Sequence, residues 1–125
     1  MIELGDFTLH SGKKSWWKII LDNLTDEEIY HISEKIVEVV GPYSMAVSVP
    51  TGGDRLAQEL NCWPLDPSAP VLIVDDVYTT GESIKKIAEP FVASGIPVKG
   101  VVVFTRNSNL PEWVQALFLV TELNG

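Results

Sequence analysis

Residues 75–83, DDVYTTGES, have the residue types and spacing most suited to chemistry in this chain. Two carboxylates follow an apolar run, and a turn rich in hydroxyl groups and glycine then opens a predicted helix. The N–H groups and positive dipole end of a helix suit a phosphate, and Thr79, Thr80 and Ser83 add hydroxyl donors. The two acids suit the hydroxyls of a sugar, or a hydrated Mg²⁺ beside it. The pattern favours a sugar phosphate, and residue chemistry alone leaves a capped helix with a solvated pair of aspartates as the alternative.

Four apolar runs are predicted to form the strands that position this segment. They cover residues 45–49, 71–74, 98–105 and 116–120, and an extended strand or arm with a polar turn precedes them at residues 7–20. Runs that do not alternate with polar residues are typical of strands buried on both faces of a sheet. We therefore expect a sheet with helices on both sides.

Three predicted helices separate these strands. The first begins with a capping box formed by Thr25 and Glu28 and ends at Gly41. A second covers about residues 54–61, and a third runs from the hydroxyl-rich turn to Gly95. Strands separated by helices predict right-handed βαβ units and a mostly parallel sheet. In such sheets ligands bind beyond the carboxyl ends of the strands.

Three loops leave the carboxyl ends of the predicted strands, at residues 50–54, 75–83 and 106–110. All three are polar or rich in glycine, and a parallel sheet would bring them to the same edge. Taken alone, Gly52-Gly53 is an ordinary turn and Arg106 a surface charge. Their shared position is what makes them candidates for one site.

The composition favours a single globular domain over residues 1–125 in the cytoplasm. Apolar residues make up 46% of the chain and charged residues 21%, and the net charge is −8. This acidic balance argues against nucleic acid or an anionic membrane as a partner. No apolar run is long enough to span a membrane, and residues 1–6 do not resemble a secretion signal. The single cysteine, Cys62, is predicted to be a small buried apolar residue.

Residues 71–83, VLIVDDVYTTGES, resemble the phosphoribosyl pyrophosphate (PRPP) signature of type I phosphoribosyltransferases at every position. Residues 7–15, FTLHSGKKS, are similar to the N-terminal stretch of orotate phosphoribosyltransferases. Residues 49–53, VPTGG, stand where that family has its pyrophosphate-binding loop, and residues 101–106, VVVFTR, resemble the later strand whose terminal arginine reaches the base. The resemblance implies the Rossmann-like α/β fold of this family, closest to the orotate branch, with a small N-terminal arm and a reduced hood.

The resemblance also implies a role for each matching residue. The ribose hydroxyls would be contacted by the catalytic pair, Asp75 and Asp76. The 5-phosphate would be held by the turn residues Thr79, Thr80, Gly81, Glu82 and Ser83. Pyrophosphate would be bound by the glycine-rich loop and the arginine that follows it, Thr51, Gly52, Gly53 and Arg55. The base would lie near three cations, Arg106, Lys13 and Lys14.

The implied reaction is displacement of pyrophosphate from the anomeric carbon of PRPP by a nitrogen of a nucleobase, with orotate as the first candidate. Its transition state resembles an oxocarbenium ion, so stabilising the leaving diphosphate is the main task. In this family Mg²⁺ bridges the diphosphate and the ribose, and it would approach Asp75 and Asp76 through PRPP and water, without direct protein ligands. Members commonly form homodimers. Two roles remain open for Trp16 and Trp17. They could form a platform on which the base stacks, or they could make core or dimer contacts.

The chain departs from the family pattern at residues 61–70, where full members carry extra strands and a mobile loop with a catalytic lysine. These ten residues contain three prolines and no Lys or Arg. One hypothesis is a compact transferase in which Arg55, Lys13 or Lys14 supplies the missing cation. The other is a catalytically lapsed relative that binds PRPP or a nucleotide as a regulatory or partner protein. A phosphoacceptor receiver domain fits poorly, because the first strand is not followed by acids.

Overall fold

The computed structural model describes residues 2–8, 21 and 23–124. Along these residues the chain forms five strands and three helices, which are β1 (Ile2–Thr8), α1 (Asp26–Val40), β2 (Ala46–Ser48), α2 (Asp54–Leu60), β3 (Val71–Tyr78), α3 (Glu82–Ala93), β4 (Val98–Thr105) and β5 (Val114–Asn124). None of these three helices combines the length and the apolar character that crossing a membrane requires.

The strands form one five-stranded sheet in the order β1-β5-β4-β3-β2, and every neighbouring pair is parallel. All strands therefore begin at one edge, called here the amino edge, and end at the other, the carboxyl edge. This confirms the predicted parallel sheet. At the edge of the sheet β1 pairs with β5, from Ile2 opposite Phe118 to Thr8 opposite Asn124. Only its last two residues fall within the strand or arm predicted at residues 7–20, and the strand at residues 2–6 was not predicted. Residues 9–20, the rest of that prediction, lie outside the described residues.

Helices cover both faces of the sheet, which explains why the central strands are apolar throughout. In β3, Leu72 and Val74 pack in a core with α1 and α2, whereas Val71 and Ile73 pack in a second core with α3. Side chains that alternate between faces must all be apolar when both faces are buried. The first core also contains buried residues of both helices on that face, Ile29, Ile36, Leu56, Ala57 and Leu60.

The start of α1 is the predicted capping box. The Glu28 backbone N–H donates to the Thr25 hydroxyl at 3.1 Å, and the Thr25 backbone N–H donates to the Glu28 carboxylate at 2.9 Å. The bond from the Thr25 backbone N–H, followed by a smaller contribution from the Thr25 side chain, holds the pKa of the Glu28 carboxylate below its ordinary value. The helix ends at Gly41, whose φ of 70° lies in the left-handed region that favours glycine.

Strand β3 is longer than the apolar run that predicted it. It continues beyond Val74 to Tyr78 because β4 provides a pairing partner, with Asp75 opposite Val102 and Tyr78 opposite Thr105. The two acids therefore lie within the strand and not after it. Their positions are fixed by a neighbouring strand as well as by the following turn.

The connection from α2 to β3, residues 61–70, is fastened at the amino edge. The Asn61 amide donates to the Ala46 carbonyl and accepts from the Ala46 N–H, both at 2.8 Å. The Trp63 indole N–H donates to the Ser33 hydroxyl of α1 at 3.0 Å. This segment therefore lies away from the carboxyl ends of the strands and closes no cleft there.

The prediction that Cys62 is buried is wrong, since its side chain is exposed. Leu60, the last residue of α2, fills the core, and the Asn61 side chain turns toward β2. Cys62 follows in the turn, where its sulfur is 3.5 Å from the Gln58 carbonyl. Its apolar character alone did not reveal that the helix had already ended.

Candidate active site

A cleft of about 180 Å³ opens at the carboxyl edge between the loop after β2 and the end of β3. Its polar lining comes from Thr51, Gly52, Arg55 and Asp76. A methyl group on Gly52 would overlap the carboxylate of Asp76, so this acid lies directly against the loop. The structure therefore brings the predicted pyrophosphate loop and one predicted catalytic acid together.

Backbone hydrogen bonds hold this loop against β3. The Val49 N–H donates to the Val74 carbonyl at 2.8 Å, and the Gly53 N–H donates to the Val49 carbonyl at 3.1 Å. Gly53 is buried, and a methyl group on it would collide with the Val74 carbonyl. Glycine is thus required here by the close approach of two backbones, while Thr51 and Gly52 remain exposed toward the cleft.

A second, smaller depression lies beside the first, at the start of α3. It is lined by Asp75, Tyr78 and four residues of the hydroxyl-rich turn, Thr79, Thr80, Gly81 and Ser83, whereas the predicted Glu82 does not line it. Gly81 is the N-cap of α3 and has a φ of 83°, a left-handed conformation that side chains disfavour. The N–H groups of the first helical turn have no acceptor within a helix. The Glu82 N–H makes a long bond of 3.4 Å to the Thr80 hydroxyl, and the N-cap residue Gly81 has no side chain to accept from the others. The predicted phosphate-binding residues therefore do lie together at a helix start.

The two acids stand between these depressions and line different ones. Asp76 lines the larger cleft and Asp75 the smaller depression. Asp75 is only 8% exposed, and one of its oxygens accepts the Asp76 N–H at 2.8 Å. One oxygen of Asp76 accepts the Val77 N–H at 2.8 Å. These bonds fix both carboxylates at the junction of the two loops.

Arg55 forms part of the cleft wall, but its guanidinium group is directed to α1. It donates to the Leu24 carbonyl at 2.8 Å and to the Asp26 carboxylate at 3.1 Å. The ion pair is solvent-exposed on both sides, and such pairs contribute roughly 0–1 kcal/mol. The positive charge predicted to bind pyrophosphate therefore lies at the cleft, weakly held by another anion.

The predicted base-binding residues are only partly described. Arg106 follows β4 at the carboxyl edge and is exposed. The turn after it is held by the Thr105 hydroxyl, which accepts the Asn107 N–H at 3.0 Å. Lys13 and Lys14, like Trp16 and Trp17, lie outside the described residues.

No direct metal centre is formed by the side chains that the structure describes. Among them, no group of three or more His, Cys, Asp or Glu residues is placed to hold a metal ion. Asp75 and Asp76 supply carboxylate oxygens, the donor type that Mg²⁺ prefers. A magnesium ion at this edge would be held by the substrate and by water, with Asp75 and Asp76 close enough to bind that water.

A larger depression, of about 540 Å³, lies on the α3 side of the sheet. Val92, Val98 and Trp113 make it mainly apolar. It contains none of the predicted site residues, so its size does not make it the candidate for polar chemistry.

The sequence assigned no role to Tyr78, which lies at this site. It occupies a position in the signature that was treated as apolar, yet its hydroxyl lies against Gly81 at the start of α3. The available signal was a hydroxyl group where the pattern requires only an apolar side chain.

This arrangement, a parallel sheet covered by helices with glycine- and hydroxyl-rich loops at its carboxyl edge, is a type I phosphoribosyltransferase-like fold. The chain is similar to the crystal structure of orotate phosphoribosyltransferase from Aeropyrum pernix, with a TM-score of 0.63 and 26% sequence identity. The match covers 92% of this chain and 86% of that chain. No family model and no curated protein matches the sequence.

Proposed function

We propose that this protein binds PRPP at the carboxyl edge of the sheet and transfers its phosphoribosyl group to a nucleobase, releasing pyrophosphate. The observation that carries the proposal is the contact between the Gly52 loop and Asp76, with the turn at the start of α3 on the other side of Asp75. Two anion-suited loops with acids between them match the order diphosphate, ribose and phosphate in PRPP. The similar protein from Aeropyrum pernix is an orotate phosphoribosyltransferase, which makes orotate the first base to test.

Each part of PRPP has a chemically suited partner in this arrangement. Backbone N–H groups of Thr51 and Gly52 bind the diphosphate, and glycine permits its close approach. The Gly53 N–H is already bonded to the Val49 carbonyl, so Gly53 shapes the loop and does not contact the ligand. Asp75 and Asp76 accept hydrogen bonds from the ribose hydroxyls. The turn from Thr79 to Ser83 and the first N–H groups of α3 bind the 5-phosphate.

The reaction breaks the bond between the anomeric carbon and the diphosphate oxygen, which leaves with the electron pair. A base nitrogen forms the new bond to that carbon and loses its proton. Backbone N–H groups of the Gly52 loop stabilise the charge that develops on the leaving diphosphate. The fixed carboxylates orient the ribose, so that the base and the leaving group lie on opposite sides of the reacting carbon.

Magnesium fits this proposal as an ion carried mainly by the substrate. The protein is acidic, with a net charge of −8, and Asp75 and Asp76 both lie at the proposed ribose site. A bound Mg²⁺ would neutralise diphosphate charge beside these carboxylates. Arg55 adds a protein cation at the same cleft if it exchanges Asp26 for the diphosphate, and that exchange costs little for an exposed pair.

The base is proposed to lie near Arg106, Lys13 and Lys14. Arg106 has a planar guanidinium group suited to the carboxylate of orotate. Thr8 ends β1 at the carboxyl edge and Leu21 lines the cleft, so the chain on both sides of the two lysines lies near this site. Arg106→Ala is expected to weaken binding of the base about tenfold while leaving PRPP affinity unchanged. Titration of each ligand measures both effects, and unchanged base affinity removes Arg106 from the site.

Pyrophosphate release from PRPP and Mg²⁺ in the presence of orotate and a panel of other bases tests the transfer reaction. The proposal expects release that requires one base and disappears in the double variant Asp75→Asn with Asp76→Asn. Release without a base is hydrolysis and contradicts transfer. Asp66→Asn is a matched control, because Asp66 is an exposed carboxylate bonded to Ser68 in the connection at residues 61–70.

Binding of PRPP or a nucleotide without turnover is the second candidate function. It is favoured by the position of residues 61–70, which are fastened to Ala46 and Ser33 and so cover no part of the cleft. Exclusion of water during the reaction normally depends on such a cover. Calorimetric binding of PRPP combined with no pyrophosphate release from any base would establish this second function and exclude the first.

A further inference from the structure

The Tyr78 side chain is buried at the start of α3, and its hydroxyl has no hydrogen-bond partner among the described residues. It is 8% exposed and packs in the core on the α3 side of the sheet with Ile73 and Ile84. Its hydroxyl lies so close to Gly81 that a methyl group there would overlap it. Across the described part of the chain, no group forms a hydrogen bond with this hydroxyl.

The other deeply buried tyrosine shows what a hydroxyl with a structural role looks like here. Tyr43 is 1% exposed and donates to the Leu60 carbonyl at 2.6 Å, near the amino edge. Buried polar groups are nearly always paired, and an unpaired one destabilises a protein by about 1–3 kcal/mol. The hydroxyl of Tyr78, unpaired within the described residues, therefore indicates a partner outside them, and a bound ligand is the candidate that its place at the depression favours.

The depression beside Tyr78 limits what that partner is. Its volume of about 20 Å³ accommodates one oxygen-sized group. The hydroxyl and the first N–H groups of α3 provide hydrogen-bond donors around it, and the N-terminal end of the helix carries partial positive charge. The negative charges of Asp75 and Glu82 repel an anion at this position. Each hydrogen-bond donor around the depression is therefore needed to bind one. A single oxygen of a phosphate group fits this size and this set of donors.

We infer that Tyr78 is a ligand-binding residue whose hydroxyl donates to one oxygen of a phosphate monoester seated at the start of α3. The inference rests on the proposed function, in which the same turn binds the 5-phosphate. The inference adds the Tyr78 hydroxyl, which belongs to β3, to the donors of the turn. This hydroxyl would approach the phosphate from the side of the core. The inference also gives the buried hydroxyl a partner whenever the ligand is bound.

Calorimetric titration of Tyr78→Phe with ribose 5-phosphate, and separately with inorganic phosphate, tests this inference. The substitution removes only the hydroxyl and keeps the ring in the core. Affinity for both ligands is expected to fall roughly tenfold or more, as for loss of a hydrogen bond to a charged group. The melting temperature without ligand is expected to stay unchanged or rise, because an unpaired buried group is removed.

Tyr43→Phe is the matched control, since it also removes one buried tyrosine hydroxyl. It is expected to lower the melting temperature and to leave both affinities unchanged. Wild-type affinity in Tyr78→Phe overturns the inference while leaving the proposed function intact. Destabilisation of the ligand-free protein by Tyr78→Phe as large as that by Tyr43→Phe also overturns it.

Titrations with inorganic phosphate, ribose 5-phosphate and PRPP distinguish a failure of this inference from a failure of the proposed function. Phosphate binding that depends on Tyr78, in a protein that does not bind PRPP, supports the anion site and contradicts the proposed function. A wild-type protein that binds none of inorganic phosphate, ribose 5-phosphate and PRPP overturns both.

Discussion

The two edges of the sheet use their polar groups differently. At the amino edge, Asn61 pairs with both backbone groups of Ala46, and the Lys99 ammonium donates to the carbonyls of Val40 and Pro42 at the end of α1. At the carboxyl edge, the Glu82 N–H of α3 has only a long bond of 3.4 Å to the Thr80 hydroxyl, and the Tyr78 hydroxyl is unpaired within the described residues. Among the described residues, these amino-edge side chains are thus paired within the chain, whereas the start of α3 offers donors to a ligand.

This difference implies that the amino edge contributes mainly to folding stability and the carboxyl edge mainly to ligand binding. An internal hydrogen bond contributes about 1 kcal/mol to folding, and a buried group without a partner costs a similar amount or more. Donors left unpaired at the carboxyl edge therefore lower stability and are retained where a ligand pairs them. Substitutions at the amino edge should change the free energy of unfolding, and those at the carboxyl edge should change ligand affinity.

The largest effect is expected from Asp75→Asn combined with Asp76→Asn. Both amides still accept the backbone N–H groups that the carboxylates now accept, so the fold is retained. Loss of both charges beside the ribose is expected to weaken PRPP binding by roughly a hundredfold or more, as measured by calorimetry. Retention of near wild-type affinity would remove these acids from the ribose site.

Gly52→Ala is expected to reduce PRPP affinity roughly tenfold. The added methyl group meets the Asp76 carboxylate, which must turn and give up its hydrogen bond from the Val77 N–H, so the melting temperature should fall only slightly, as for a loss of about 1 kcal/mol. The displaced carboxylate and the covered loop N–H groups then bind the substrate less well. A large loss of stability with unchanged affinity would assign Gly52 to folding and break the contrast between the edges.

Asn61→Ala is the corresponding change at the amino edge. It removes two hydrogen bonds to Ala46 and is expected to lower the free energy of unfolding by about 1–2 kcal/mol in urea titrations. PRPP affinity of the folded protein should be unchanged. A loss of affinity greater than the loss of stability would show that the two edges are coupled.

Glu28→Gln should have the smallest effect, confined to acidic pH. Because hydrogen bonds from Thr25 lower the pKa of Glu28 in the folded protein, the charged capping box stabilises α1 at pH values above the ordinary carboxyl pKa. This stabilisation is lost as the pH falls through the lowered pKa. The glutamine variant still accepts the cap hydrogen bond but should lose this part of the pH dependence in thermal melts. An unchanged acid profile would contradict this role for Glu28.

Features set by neighbouring residues in the sequence were predictable. The capping box was predicted correctly because it depends on only four residues, from Thr25 to Glu28. The bounds of β4 were predicted correctly because a single apolar run determines them. The same holds for the turn at Gly81, which begins α3 as the glycine and hydroxyl pattern indicated.

Features set by distant partners were not predictable in detail. The extension of β3 to Tyr78 depends on pairing with β4, and the exposure of Cys62 depends on where α2 stops. The sequence placed the glycine loop and the acids at one edge but could not show that Gly52 touches Asp76. That the Tyr78 hydroxyl has no partner among residues 2–8, 21 and 23–124 depends on its three-dimensional surroundings and could not be read from the sequence.

A crystal structure with PRPP and Mg²⁺ tests the central claim most directly. The diphosphate is expected on the backbone N–H groups of Thr51 and Gly52, the ribose hydroxyls on Asp75 and Asp76, and the 5-phosphate at the start of α3 within reach of Tyr78. A ligand bound elsewhere, or carboxylates turned away from a bound ribose, would contradict it.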